Sequence, residues 1–573
     1  MGRTEQKYTK TPTLENEDEF PIATAIPSGT SLTDDDTESL PTASQVGQDP
    51  KGAIEEGDDG IIISWEKGEV QPSAFRDKWF AIFFLVQLFG VISTAFALWP
   101  SFYRDAQGVM NSSEGSDSDA ASQGVDESDQ NHENNDIDDG ASSMAALWTP
   151  LVSSLIVAPL LSIAAMVFMS RNAIALIHAS IWISIGLCAL VAVLNIAVNP
   201  LGSVIFGVLT GCLVCYARAV RDKIPYAAEN LKCAIAVVKT NFGLVLLSFG
   251  ATVSFLGYSV IWVLAFGAAM NKGVMWTETT YDSSDAFGGD DDWTMASSSS
   301  SNSNKDLSAL GGFVGFFFIL SFYWTHEVIK NVVRTTVAGV VGTWWFSPSE
   351  ASSFCSSAVR DSFFRSTTYS LGSICFGSLI VAVLHIIRNS LRRTSNNRDA
   401  GILRCMAHCI LAYIEALVEY FNKWAFIYCG IYGYSYVEAG KRVMNLFKTR
   451  GWSTIISDNL INRLLGIMCL GIGVLIGLFT LFVSFLVEEI ESQSGWAGFG
   501  FFIGFVMGLV LSGLMMGLLA NAVDSIIVCY AECPAEFGDS HPELAGGMQR
   551  TWSQAWSSLE LTGQTAAGLH LYS

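Results

Sequence analysis

The chain has 573 residues, of which 50% are hydrophobic and only 15% are charged. Soluble domains carry about 25% charged residues, so this composition, with apolar runs of about 20 residues, excludes an ordinary soluble protein. The net charge of −22 comes mainly from two acidic, polar regions, and the chain has no basic patch of the kind that binds nucleic acid. We therefore predict an all-α, polytopic helical membrane protein embedded in the lipid bilayer.

Residues 1–78 are acidic and rich in Ser, Thr and Pro. A charged segment of low hydrophobicity cannot bury enough surface to fold, so we predict a disordered cytoplasmic tail. The start of the chain has no apolar signal-peptide core, and entry into the membrane is therefore expected to use the first internal helix.

The membrane domain is predicted to cover residues 79–530 with about ten transmembrane helices, and residues 531–573 form a cytoplasmic C-terminal tail. The acidic segment 101–147 follows the first helix as an extracellular loop and contains a glycosylation sequon at Asn111. The predicted spans are 79–100, 148–169, 173–198, 201–219, 242–270, 310–329, 331–346, 367–387, 464–485 and 496–520.

The apolar stretch 403–440 differs from these spans because it carries His408, Glu415, Glu419 and Lys423. It is predicted to be interfacial, re-entrant or cavity-lining. An amphipathic helix lying at the membrane interface would show the same pattern.

Clusters of Lys and Arg favour the cytoplasmic side of a membrane. Three such clusters lie within residues 218–239, 388–404 and 441–450, and ten spans place all three inside. Both termini are then cytoplasmic. Arg360 and Arg365 are the exceptions, since they fall in an outside loop.

Candidate functional residues lie in the segment 322–346. Glu327, Asn331 and Arg334 are four and then three residues apart, so they share one helix face, which Trp324 joins three residues earlier. An ionisable group in the bilayer costs about 3 kcal/mol or more, and it usually marks a substrate or ion route. A carboxylate beside an aromatic ring suits an organic cation, since each cation–π contact contributes about 0.5–2 kcal/mol. An ion pair of Glu327 with Lys330 or Arg334 that only fixes helix packing is the alternative.

Further aromatic residues are candidates for the same route. Trp344 and Trp345 end the segment, where an interfacial anchoring belt is the alternative. Tyr428 belongs to an aromatic stripe on the ambiguous stretch. His326 is a candidate for proton coupling because imidazole titrates near neutral pH, although it lies on a different helix face from Glu327.

Signatures of an enzyme or a metal centre are not found in the sequence. It has no Walker A motif, no nucleophile elbow and no H-E-x-x-H, so we predict neither an enzyme nor a cofactor. Cys212-x-x-Cys215 and Cys405-x-x-His408-Cys409 each lack a second matching pair. No metal is therefore predicted, and the cysteines are interpreted as packing residues.

Several separate motifs resemble the choline transporter-like family of solute carriers, over about residues 204–543. They are Trp324-Thr-x-Glu327-Val-Ile-Lys-Asn331, Thr336-Val-Ala-Gly339-Val-Val-Gly-Thr-Trp344-Trp345-Phe346, Gly372-Ser-Ile-Cys-Phe-Gly-Ser-Leu379, Phe421-Asn422-Lys-Trp424-Ala-Phe426 and Ala522-Val-Asp524.

This resemblance implies ten spans, cytoplasmic termini, a plasma or organellar membrane, and movement of choline or related amines. The expected function is transport of a choline-like organic cation across the plasma membrane by alternating access. Protons are a candidate for the coupling ion. A non-transporting scaffold or trafficking protein, and a cation channel, are the alternatives.

Overall fold

The structure, a computed structural model, describes residues 70–118, 132–271, 276–279, 304–307, 309–354, 356–393, 401–450, 455–491 and 497–560. The tail predicted for residues 1–78 therefore lies almost wholly outside the described residues. The chain divides into two units, Lys67–Ala555 and a second made of Met1–Glu66 with Trp556–Ser573. The fold below is that of the first unit.

The described residues confirm an all-α membrane region. A two-stranded antiparallel hairpin of β1 (Trp276–Thr279) and β2 (Asn304–Leu307) lies in the polar segment between two of the helices, with Trp276 opposite Leu307. The helices are α1 (Lys78–Ser118), α2 (His132–Leu194), α3 (Pro200–Val220), α4 (Ile224–Thr240), α5 (Gly243–Asn271), α6 (Ala309–Phe346), α7 (Ser357–Thr367), α8 (Leu371–Arg393), α9 (Gly401–Tyr432), α10 (Tyr436–Arg450), α11 (Ile455–Glu491), α12 (Ala497–Glu532), α13 (Pro534–Ser540) and α14 (Pro542–Glu560).

Two regions expected to be loop or tail contain helix. Helix α1 continues through Pro100 to Ser118, so it enters the predicted acidic loop, and Asn111 falls within its range. The predicted C-terminal tail holds α13 and α14. The buried Met548 of α14 packs against Cys233 of α4, with 3.5 Å between the sulfur atoms.

Eight helical stretches of the described residues are long and apolar enough to cross a membrane. One of them, Thr149–Leu194, is kinked at Asn172 (φ −121°, ψ 26°) and holds two predicted spans. Helix α9 is not among the eight, but its 32 residues correspond to roughly 48 Å at 1.5 Å per residue. It also packs against α6 and α8. If α9 is counted, and Thr149–Leu194 is counted as two helices, the described residues contain ten helical stretches of membrane-spanning length, the number predicted from the sequence.

The prediction of two consecutive spans at 310–329 and 331–346 is wrong, because α6 is one continuous helix. Gly339 and Gly342 lie within this helix and allow close packing. A side chain at Gly339 would meet Ser362 Oγ at 2.7 Å, and one at Gly342 would meet Ile431 Cγ2 at 3.2 Å. Lys330, which the predicted boundary between the two spans would place at a turn, therefore lies within a long helix.

Several helices begin or end at the same face of the bundle, where hydrogen bonds join their connections. The connection after α6 meets the α4–α5 junction, where Gly243 N donates to Phe354 O at 2.7 Å. The segment before α1 meets the end of α9, where Gln71 N donates to Tyr432 O at 2.7 Å. The α4 region carries one of the basic clusters, so the positive-inside rule predicts that this face is cytoplasmic. That prediction places Arg360 and Arg365 inside and the end of α8 at Arg393 outside, which differs from the sequence-based prediction for the cluster within 388–404.

This threading predicts opposite sides for two connections. In intact cells, an epitope tag inserted after Ser395 should bind antibody without permeabilisation, whereas a tag after Ser352 should bind only after permeabilisation. Antibody access to both tags from the same side would contradict α9 as a membrane span.

Candidate functional site

A cavity of about 320 Å³ lies between α6, α8, α9 and α11, at the lower end of the roughly 300–1,000 Å³ of small-molecule sites. Its lining is polar and carries three basic and two acidic side chains. The lining residues are Glu327, Lys330, Asn331, Arg334, Val381, Ala416, Glu419, Tyr420, Asn422, Lys423, Asn459 and Asn462.

Glu327 supplies the buried carboxylate of the α6 wall, with 3% of the residue exposed. Lys330 Nζ lies 2.8 Å from its Oε1, one helical turn further along, and its side chain is 43% exposed. The nearest nitrogen of His326 is 3.5 Å from the same oxygen. The Glu327–Lys330 ion pair, the sequence-based alternative to a substrate role, is therefore present, and it forms part of the cavity wall.

Asn331 ties the α6 wall to its neighbours. Its Nδ2 donates to Ser378 Oγ on α8 at 3.0 Å, and its Oδ1 accepts from Arg334 Nη1 at 3.0 Å. Arg334 Nε in turn donates to Asn521 Oδ1 on α12 at 3.1 Å. Because these bonds use both ends of the amide, Asn331 holds three helices in register around the cavity.

Helix α9 forms the facing wall, as the cavity-lining interpretation of residues 403–440 requires. Asn422 Nδ2 donates to Gly377 O on α8 at 3.0 Å, and Asn422 Oδ1 accepts from the Tyr436 hydroxyl. Tyr420 is the aromatic residue among the lining side chains. Lys423 Nζ lies 2.7 Å from Asp524 Oδ1 of α12, and both side chains are largely buried.

The Lys423–Asp524 pair gives a stability prediction. Removing one partner of a buried ion pair costs about 3–5 kcal/mol, whereas replacing both by apolar residues of similar size is often neutral. Asp524→Leu and Lys423→Met should each lower the thermal unfolding midpoint of the purified protein. The double variant should recover most of the loss, and a double variant as unstable as the sum of the two singles would contradict a coupled pair.

Five predicted site residues lie elsewhere than on the cavity lining. Trp324 is packed in the core, and its Nε1 donates to Cys375 O at 3.0 Å. Trp345 stacks on Phe537 with ring centroids 4.0 Å apart. The remaining three contact other groups: Trp344 stacks on His541, Tyr428 donates to Glu532, and the His326 ring contacts Phe255.

Asn111 lies within α1, and its side chain is outside the described residues. The sequence interpretation also missed residues that the structure brings to the cavity. Asn459 and Asn462 lie three residues apart at the start of the apolar helix α11. Two amides one turn apart on a membrane helix are a signal that could have identified them.

Comparison with known proteins places these helices in a family. The sequence model described as plasma-membrane choline transporter matches residues 204–535, more than half of the chain. A CTL-like protein from Dictyostelium discoideum is 24% identical over 494 residues, which cover 84% of this chain and 77% of that protein.

Two fungal proteins named PNS1 are also similar over shorter stretches. The one from Mycosarcoma maydis is 38% identical over 197 residues, 33% of this chain and 35% of that protein. The one from Eremothecium gossypii is 31% identical over 300 residues, 51% of each chain. The matches thus span between about a third and a half of these two relatives. From the family match, the chain belongs to the plasma-membrane choline transporter family.

Proposed function

We propose that this protein transports choline or a related small organic cation across the membrane by alternating access. The observation that carries the proposal is the buried carboxylate of Glu327, which lines a cavity of small-molecule size between membrane helices. Intramembrane carboxylates that face a cavity usually serve a substrate or ion. The name of the matched family indicates the same class of substrate.

Cation entry requires a change in the ion pairs of the cavity. In the structure, Lys330 Nζ lies 2.8 Å from Glu327 Oε1. An incoming substrate ammonium group must therefore take the place of the Lys330 ammonium at that carboxylate. The exposed and flexible lysine side chain can withdraw toward water. Tyr420 and Glu419 on the facing α9 wall supply an aromatic face and a second carboxylate.

Competition between Lys330 and the substrate gives a prediction. Lys330→Gln removes the competing charge, so the KM for choline should fall by about 2- to 5-fold, as expected for a partly exposed ion pair that contributes about 0.5–1 kcal/mol. Initial uptake rates measured over a series of choline concentrations test this. An unchanged or raised KM would contradict displacement of Lys330 by the substrate.

The primary test is uptake of labelled choline by vesicles that contain the purified full-length protein. Saturable uptake above that of empty vesicles supports transport. No uptake would favour the scaffold alternative for this substrate, and single-channel current in a planar bilayer would favour a channel.

Proton coupling through His326 stays a prediction. Its imidazole lies near Glu327, with 3.5 Å between the nearest nitrogen and oxygen. If protons drive uptake through this residue, an imposed pH gradient should accelerate wild-type uptake and leave His326→Gln at its basal rate.

The proposed architecture comprises a cytoplasmic tail at residues 1–78, a transporter domain at 79–530 and a cytoplasmic C-terminal region. Both termini are proposed to be cytoplasmic and the protein to reside in the plasma membrane.

A further inference from the structure

We infer that α8 and α9 carry a binding site for a divalent transition-metal ion such as Zn²⁺, beside the substrate cavity. The site consists of His385, Glu415 and Glu419, whose donor atoms all lie within 4.8 Å of one another. Glu415 and Glu419 are one turn apart on α9, and His385 faces them from α8. One imidazole and two carboxylates form a donor set that zinc accepts.

The nearest distances join His385 to each carboxylate. His385 Nδ1 is 2.6 Å from Glu415 Oε1, and Nε2 is 3.6 Å from Glu419 Oε1. The two carboxylates face different nitrogens of the imidazole, and one ion can bind only one of these nitrogens. The three donors lie within 4.8 Å of one another, and on metal binding one carboxylate turns toward the nitrogen that the other already faces.

The burial of Glu415 supports the site. The residue is 3% exposed, and among the described residues its buried Oε1 has no hydrogen-bond partner apart from the 2.6 Å contact with His385 Nδ1. Its other oxygen accepts a hydrogen bond from Arg388 Nη1 at 2.8 Å. A metal-bound carboxylate is commonly held by such an outer contact, so Arg388 fixes one oxygen while the other faces the site.

The imidazole of His385 is also held in place. Tyr323 of α6 stacks on it with ring centroids 5.7 Å apart, and the Tyr323 hydroxyl accepts from Asn389 Nδ2 at 3.0 Å. Glu419 is 46% exposed and lines the cavity. The ion can therefore enter from the cavity, and its binding would link α8 to α9 and occupy one of the cavity's two carboxylates.

The test is zinc binding to the purified full-length protein in detergent, after the accessible thiols have been alkylated. Equilibrium dialysis with Zn²⁺ and metal analysis should find one equivalent per chain. His385→Gln, which keeps the Arg388–Glu415 pair, should weaken binding at least about tenfold, as should Glu415→Gln. His408→Gln is the matched control. It removes the histidine of the Cys405–Cys409 motif on the same helix but leaves the three proposed ligands unchanged, so it should bind zinc as the wild type does.

A thermal readout separates binding from misfolding. Zn²⁺ should raise the unfolding midpoint of the wild type and His408→Gln, since a ligand of the native state stabilises it, and should leave His385→Gln unchanged. Absence of bound zinc, or zinc retained by a folded His385→Gln variant, would overturn the site and leave an ion-pair cluster only. Neither readout depends on transport activity.

Discussion

Glu327→Gln is expected to reduce the kcat/KM for choline by about 10- to 100-fold, the range given by loss of a charge-assisted interaction of about 1.5–3 kcal/mol. The amide keeps the shape of the side chain and removes its charge. Folding should be preserved, because the partly exposed Lys330 can turn toward water. Initial rates of choline uptake, normalised to the amount of reconstituted protein, measure the effect.

The matched control for this substitution is Glu229→Gln. Glu229 pairs with Lys232 three residues later at 2.7 Å, the same arrangement as Glu327 with Lys330, but it lies on α4 and not on the cavity lining. It should transport at the wild-type rate. Full activity in Glu327→Gln, or an equal loss in both variants, would remove Glu327 from the substrate route.

Gly430→Ala is expected to destabilise the contact between α6 and α9, the two helices that form the facing walls of the cavity. A Cβ atom at this position would lie 2.4 Å from Thr335 O and 2.8 Å from Ala338 Cβ. The Thr335 carbonyl oxygen belongs to the backbone of α6 and cannot rotate away as a flexible side chain can. Helices α6 and α9 must therefore move apart. Overpacking of this kind costs about 1–3 kcal/mol and occasionally more.

The measurement is the unfolding midpoint in detergent, together with choline uptake. Both should fall in Gly430→Ala. Gly466→Ala on α11 is the control, because a Cβ atom there would meet nothing within 4 Å, and it should keep the wild-type midpoint. Equal midpoints for the two variants would show that α6 and α9 do not approach as closely as described.

Much of the fold could be predicted from the sequence because membrane helices are read from apolar length alone. The exceptions are the stretches where partners on other helices decide the outcome. Helix α9 looked too polar to cross a membrane, yet Arg388 and His385 approach Glu415, and Asp524 approaches Lys423. A single sequence gives no sign of which charges are paired across helices.

The candidate site could be predicted from the sequence only in part. Helical spacing placed Glu327 and Asn331 on one face, and both lie on the cavity lining. The same reasoning could not locate Trp344 and Trp345, because their contacts, His541 and Phe537, lie some 190 residues further along the chain. Aromatic composition suggested a cation site, but tertiary packing places these rings against His541 and Phe537 and not on the cavity lining.

The most direct test of the central claim is a structure of the protein determined in saturating choline. Density for the ammonium group is expected in the cavity between α6 and α9, in contact with the Glu327 carboxylate and with Lys330 withdrawn from it. Choline bound at another position, or a cavity unchanged with Lys330 still on Glu327, would contradict the proposed route.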